Sequence, residues 1–310
     1  MSAVTGATGM TAVLRRAEAW LFAPAPAERL AVLRLLAGSF AVAYLLVRLP
    51  AFLALADAPT RSFQPVGLLS PLAGPWSATT VRVLVLCTIA LGVAFTAGLW
   101  FRVVGPVFGI GLLLLCTYRS SWGQLLHFEN LMVLQVLVVG FAPSADVLAV
   151  GAARSRDVRP GADAAYGGPV RLAALVTVLT YVLAGVAKLR LGGLEWMVGD
   201  TLRNHVAYSA ARLDLLGGTP SPLGRYLVAR AWLFPPLAVA TVLVELAAPV
   251  ALLGGRLRNA WVVAAWLLHA GVAALMFVVF PYPLFLVAFA PFFRLERLTG
   301  VRRYLNQMRW

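Results

Sequence analysis

One lysine occurs in a chain of 310 residues that otherwise draws its cations from 25 arginines. It is Lys188, near the end of an apolar run in the stretch LTYVLAGVAKLRLGG. The residue type matters for chemistry. An ammonium desolvated in an apolar site can lose its proton near neutrality and act as a base. A guanidinium cannot. The alternative is a snorkelling lysine, with its stem in lipid and its head among headgroups. Arg190 follows two residues later and could fill that role itself, so both readings of Lys188 stand.

Other residues with chemical potential are few. His269 interrupts the apolar stretch WVVAAWLLHAGVAALMFVVF. An ionisable residue inside such a run either serves a site or bonds a neighbouring helix. His127 and Glu129 open another apolar run just after Trp122, and the helix dipole alone would account for an acid there. Trp122 and Trp196 are rings on which a flat ligand could stack. Glu245, in TVLVELAAPV, is expected to neutralise Arg34 or Arg48, which lie 14 residues apart on one stripe of the first run. Lys188 and His269 are expected to face a common cavity. No His-x-x-x-His metal spacing and no phosphate-cradling glycine loop occurs in the sequence. The two cysteines, Cys87 and Cys116, fall inside apolar runs, where packing is the expected role.

The elements that must hold these groups are membrane helices. Sixty-one per cent of the residues are hydrophobic and 12% charged, far from the balance of soluble domains. The net charge of +14 does not point to nucleic acid, because the arginines sit in short segments between apolar runs. With about 20 apolar residues needed per span, the candidates are 30–56, 80–100, 103–118, 128–143, 169–188, 232–254, 259–280 and 282–293. The first is expected to kink near Pro50, and the last is proline-interrupted, either a thin span or a re-entrant segment. The expectation is an all-α, polytopic bundle of about eight segments over 30–293. It would be preceded by a segment at 1–29 with an amphipathic helix over 11–22, and followed by a basic tail at 294–310. With the N-terminus inside, 15 arginines fall in inner segments and eight in outer ones, the outer loop 189–231 holding five of the eight. This favours both termini on the cytoplasmic side of the cell membrane. Lys188, His127 and Glu129 then lie at the outer level, with His269 near mid-depth. Asp200, Asn204, His205 and Tyr208 belong to the outer loop. Asp157 and Asp163 read as parts of a solvated inner loop.

At these residues the sequence resembles a known family. YVLAGVAKLRLGGLEWMVGDTL is similar to the lysine-bearing segment of the vitamin K-dependent gamma-glutamyl carboxylases. RLAVLRLLAGSF, TYRSSWGQLLHFENLMVLQVLVV and LLHAGVAALMFVVFPYPLFLVAFAPFF resemble, in the family's order, its opening span, its Ser-Trp and histidine region, and its late histidine-bearing span. The bacterial relatives called HTTM proteins fit equally. The resemblance implies a reduced quinone, vitamin K hydroquinone or menaquinol, as cofactor. It makes Lys188 the base that deprotonates the quinol, with His127 and His269 near it. The register differs at His127, which lies five residues past Trp122 where the family has three, and HFEN lacks the family's Asn-His pair. The family also continues into a large luminal β-rich region. This chain stops about 17 residues past its last apolar run, so a smaller substrate, or a partner membrane protein supplying recognition, is expected on the outer side.

Three function classes follow. One is a quinol-dependent epoxidase or carboxylase-like lyase with Lys188, His269 and His127 as catalytic residues and Trp122, Trp196 and Glu129 holding the cofactor. A second is a non-catalytic quinone- or lipid-binding membrane module that supports a partner. A transporter ranks last, because the halves 30–143 and 169–293 show no repeat.

Overall fold

A computed structural model of the chain describes residues 14–125, 127–150 and 161–299. The segment around Asp157, expected as a solvated inner loop, and the tail beyond Thr299 lie outside the described residues. The regular structure of the described residues is helical, apart from one antiparallel pair of two-residue strands, β1 (Ala25–Pro26) and β2 (Ala162–Asp163). Its helices are α1 (14–21), α2 (Ala27–Val47), α3 (Leu49–Leu53), α4 (Ala78–Ala97), α5 (Phe101–Ser120), α6 (Asn130–Gly140), α7 (Ala164–Gly192), α8 (Glu195–Val198), α9 (Thr201–Leu215), α10 (Pro222–Val228), α11 (Phe234–Leu246), α12 (Gly255–Met276) and α13 (Pro281–Leu284).

Five of these, α2, α4, α5, α7 and α12, are long and apolar enough to cross a membrane. The other three candidate runs are shorter or broken, each for a local reason. The fourth gives only the 11-residue α6, which rises about 16 Å against a hydrocarbon core of about 30 Å. The sixth follows a bend of 102° between α10 and the segment Ala231–Leu246, and within it α11 gives way to a 3₁₀ turn at Ala248–Leu253. The last run, preceded by Pro281, holds Pro283 and Pro291 and forms the end of α13 and a 3₁₀ segment at Val287–Phe292, because each proline removes a helix donor. The first run breaks at Arg48, just before Pro50.

The chain divides into two compact units, Met1–Ala173 with Phe293–Trp310, and Ala174–Phe292. In the first, α2 packs on α4 and α6, and α5 lies between α4 and α6. Small residues set the approach. A β-carbon at either Gly105 or Gly140 would run into the carbonyl of the other, so α5 and α6 cross with their backbones nearly touching. The α4–α5 hairpin turns on Gly98, which closes α4 at φ 77 in the left-handed conformation glycine accepts. Arg34 is fully buried, donates to the Leu148 carbonyl at 2.5 Å and lies over the Phe101 ring. Arg29 clamps the post-bundle segment through two bonds to Glu296, at 2.8 and 2.7 Å. Asp163 is a helix cap, since its carboxylate accepts from Ala165 N–H at 2.7 Å. Cys116 is buried, as a packing residue should be, but Cys87 is exposed on α4. In the second unit, α11 and α12 pack together, α8 and α9 lie against α11, and α10 joins α9 to α12.

Candidate active site

The end of α7 builds the site. Tyr181, Gly185 and Lys188 follow one another at helical spacings of four and three, so they share a face. A β-carbon at position 185 would sit 2.9 Å from a Leu246 methyl and 3.1 Å from the Glu245 Cβ. The bare glycine is therefore what lets α11 come close enough to present Glu245. Lys188 Nζ donates to Glu245 Oε1 at 2.5 Å, with the two side chains 23% and 8% exposed. The chain then reverses. Gly193, at φ 57, donates its N–H to the Leu189 carbonyl at 2.9 Å, a left-handed helix stop. The reversal carries α8 back so that Trp196 is buried against Ala238 and Val242 of α11. Its ring centroid lies 5.2 Å from Lys188 Nζ, within reach of a cation–π attraction.

One helix over, the Tyr181 hydroxyl and His269 Nε2 share a hydrogen bond of 2.7 Å. The Tyr181 ring meets Trp261 edge-on at 5.1 Å, and the His269 ring lies 5.0 Å from Phe280. Trp261 is itself fixed by its bond to the Val244 carbonyl at 2.9 Å. Tyr181 interacts electrostatically with Glu245, and His269 with Lys188. The four groups thus form one polar cluster inside an apolar unit. Two of its atoms, Glu245 Oε2 and His269 Nδ1, are buried with no hydrogen-bond partner among the described residues. An unmet carboxylate oxygen beside an ammonium can take a hydroxyl group from both sides, donating to its oxygen and accepting its proton.

Lys188 thus lies against Trp196 and bonds Glu245, while His269 bonds Tyr181 and interacts electrostatically with Lys188. The expected partner of Glu245 does not hold. Its carboxylate bonds Lys188 rather than Arg34 or Arg48, because Gly185 opens the α7 face to α11. The lysine is accordingly one half of an ion pair, not an isolated ammonium among apolar groups. Asp200, Asn204, His205 and Tyr208 are exposed at or along α9.

The remaining predicted site residues belong to the first unit. Glu129 is buried and accepts from both the Tyr44 hydroxyl and Arg119, while Arg119 also donates to the Tyr44 oxygen at 2.7 Å and lies over the Phe52 ring. This ion pair, rather than a helix dipole alone, explains an acid at 129. Trp122 packs against Phe63 and Tyr118, at ring distances of 5.1 and 5.8 Å. His127 is exposed and lines a cleft of about 450 Å³.

Sequence reasoning missed Tyr181 and Gly185, although the spacing Tyr181–Gly185–Lys188 was there to be read as one helix face. No family model matches the chain, and neither a curated protein nor a solved structure does so.

Proposed function

We propose that the chain is a multi-pass membrane enzyme that exchanges a proton with the hydroxyl of a lipid-soluble quinol through the Lys188–Glu245 pair. One observation carries this reading. A half-buried ion pair, its ammonium 5.2 Å from the Trp196 ring centroid, keeps one buried carboxylate oxygen with no hydrogen-bond partner among the described residues. A reduced quinone fits such a group at two points, its ring against an aromatic face and its hydroxyl between ammonium and carboxylate. The bound quinol would supply the redox chemistry. The protein's part is to orient the hydroxyl, hold the proton between Lys188 and Glu245, and exclude water. Because the pair is neutral as a whole, a proton can move within it without leaving a net charge in the bundle. Tyr181 and His269 would steady the neighbouring wall. The resemblance to the carboxylases supports a quinol epoxidase or carboxylase-like lyase, with its substrate and any partner membrane protein on the outer side. The arginine distribution supports an eight-segment bundle with both termini cytoplasmic.

A second reading also rests on a specific observation. Because Lys188 is already paired, the same site would serve a non-catalytic quinone- or lipid-binding module. The test uses membranes containing the full chain and supplied with reduced menaquinone or vitamin K hydroquinone. With dioxygen present as oxidant, the enzyme reading expects quinol to be converted to its epoxide with release of water, a turnover lost in both Lys188→Arg and Glu245→Gln. Quinol binding without turnover by the wild type would leave only the binding module. Turnover undiminished in both variants would remove the pair from the chemistry.

A further inference from the structure

The first unit contains a cleft that the Lys188 reading does not use. It has a volume of about 450 Å³ and is formed between the end of α5, the start of α6 and the turn at Gly67. That size falls within the range of about 300–1,000 Å³ typical of small-molecule sites. Its lining is graded. Ser120, the last residue of α5, and His127 and Asn130, at the start of α6, put polar groups at the loop end. Leu113, Val133 and Leu134 line it toward the helix interiors. From Leu113 to Ser120 the helix rises about 10 Å, so one ligand could span the gradient.

The charge balance narrows the ligand. No Arg, Lys, Asp or Glu lines the cleft among the described residues. Arg119 and Glu129, adjacent in sequence to the lining residues Ser120 and Asn130, bond each other and Tyr44, and Arg119 is held over Phe52. An anionic or cationic head would thus find no guanidinium, ammonium or carboxylate in the described lining to pair with. A head offering hydroxyls would be matched by the hydroxyl, imidazole and amide at the loop end. We propose that this cleft binds an uncharged single-chain amphiphile, its hydroxyl-bearing head at the level of Ser120, His127 and Asn130 and its chain between Leu113 and Leu134.

The experiment measures equilibrium binding of radiolabelled monooleoylglycerol to the purified full chain in nanodiscs. Oleate serves as a competitor with the same chain and a charged head. The expected result is saturable binding in which oleate competes at least tenfold more weakly than unlabelled monooleoylglycerol. Leu134→Trp, at a position already 42% exposed, should fill the cleft and weaken binding more than tenfold. Asn130→Leu, which removes one neutral hydrogen bond, should weaken it about fivefold. Leu113→Phe is a second cleft-filling variant should Leu134→Trp fail to fold. The head-group comparison needs no variant at all. Absence of saturable binding overturns the proposal, as does equal competition by oleate or unchanged binding in both cleft-filling variants. Lys188→Arg should bind monooleoylglycerol as the wild type does, which separates this site from the quinol reading.

Discussion

The Lys188–Glu245 pair makes a quantitative prediction that needs no substrate. Exposed ion pairs contribute about 0–1 kcal/mol, whereas removing one partner of a buried pair costs about 3–5 kcal/mol. This pair lies between those limits, with Glu245 8% exposed and Lys188 23% exposed. Lys188→Met should be the worse single change, at about 2–3 kcal/mol, because it strands the more deeply buried carboxylate. Glu245→Leu should cost about 1–2 kcal/mol, because the flexible lysine stem can carry its ammonium outward. The double variant Lys188→Met/Glu245→Leu leaves no charge and roughly keeps volume, so it should fall within about 1 kcal/mol of the wild type. A double-mutant cycle on the purified full chain, read by denaturant unfolding in detergent, would then give a coupling of about 2–5 kcal/mol. Additive single changes, with a double variant as weak as their sum, would refute the argument that the two side chains depend on each other.

Three further outcomes follow from the same geometry. Gly185→Leu should separate α7 from α11 and lower stability by about 2 kcal/mol or more, seen as a lowered unfolding midpoint and as loss of the Lys188–Glu245 coupling in the same cycle. Tyr181→Phe should cost about 1–3 kcal/mol by leaving His269 Nε2 without its partner, checked in the same unfolding assay, with His269→Leu in the Tyr181→Phe background recovering part of the loss. The bonds from Arg29 hold the Glu296 carboxyl below its ordinary value of 4.5, so its folded form prefers the ionised state. That contribution is whole above the ordinary value and is lost as pH falls through the lower folded one. Proteolytic release of the segment after Phe293 should accordingly rise below about pH 4 in the wild type, and be raised and flat with pH in Glu296→Gln.

The legible parts of this protein were those written in one segment at a time. Apolar runs gave five full-length helices, and proline positions foretold where the first and last runs would break. The cationic end of α7 could be singled out because a lone lysine stands out against 25 arginines. What sequence could not supply was the partner of each buried charge. Glu245 was assigned to an arginine of the first run on the sound ground that a buried acid needs a cation. Which cation it meets depends on which helices touch, and that is decided by a missing side chain at Gly185 rather than by any charged residue. The pairing of Glu129 with Arg119 and Tyr44 was hidden in the same way, since a helix dipole offered a sufficient local explanation.

That difference bears on how the chemistry should be sought. An isolated lysine in an apolar helix would act as a base only by losing its own proton, so its surroundings would have to disfavour the ammonium. A lysine bonded to a carboxylate needs no such loss. The proton acceptor can be the carboxylate oxygen that has no partner, with the ammonium holding the substrate oxygen as charge develops on it. The two schemes part company at Glu245. If Lys188 works alone, Glu245→Gln keeps its shape, removes a competing charge and should raise turnover. If the pair works as a unit, the same change removes the acceptor and should abolish turnover while leaving quinol binding in place. Glycine at 185, and not the lysine alone, is then what makes the end of α7 a site.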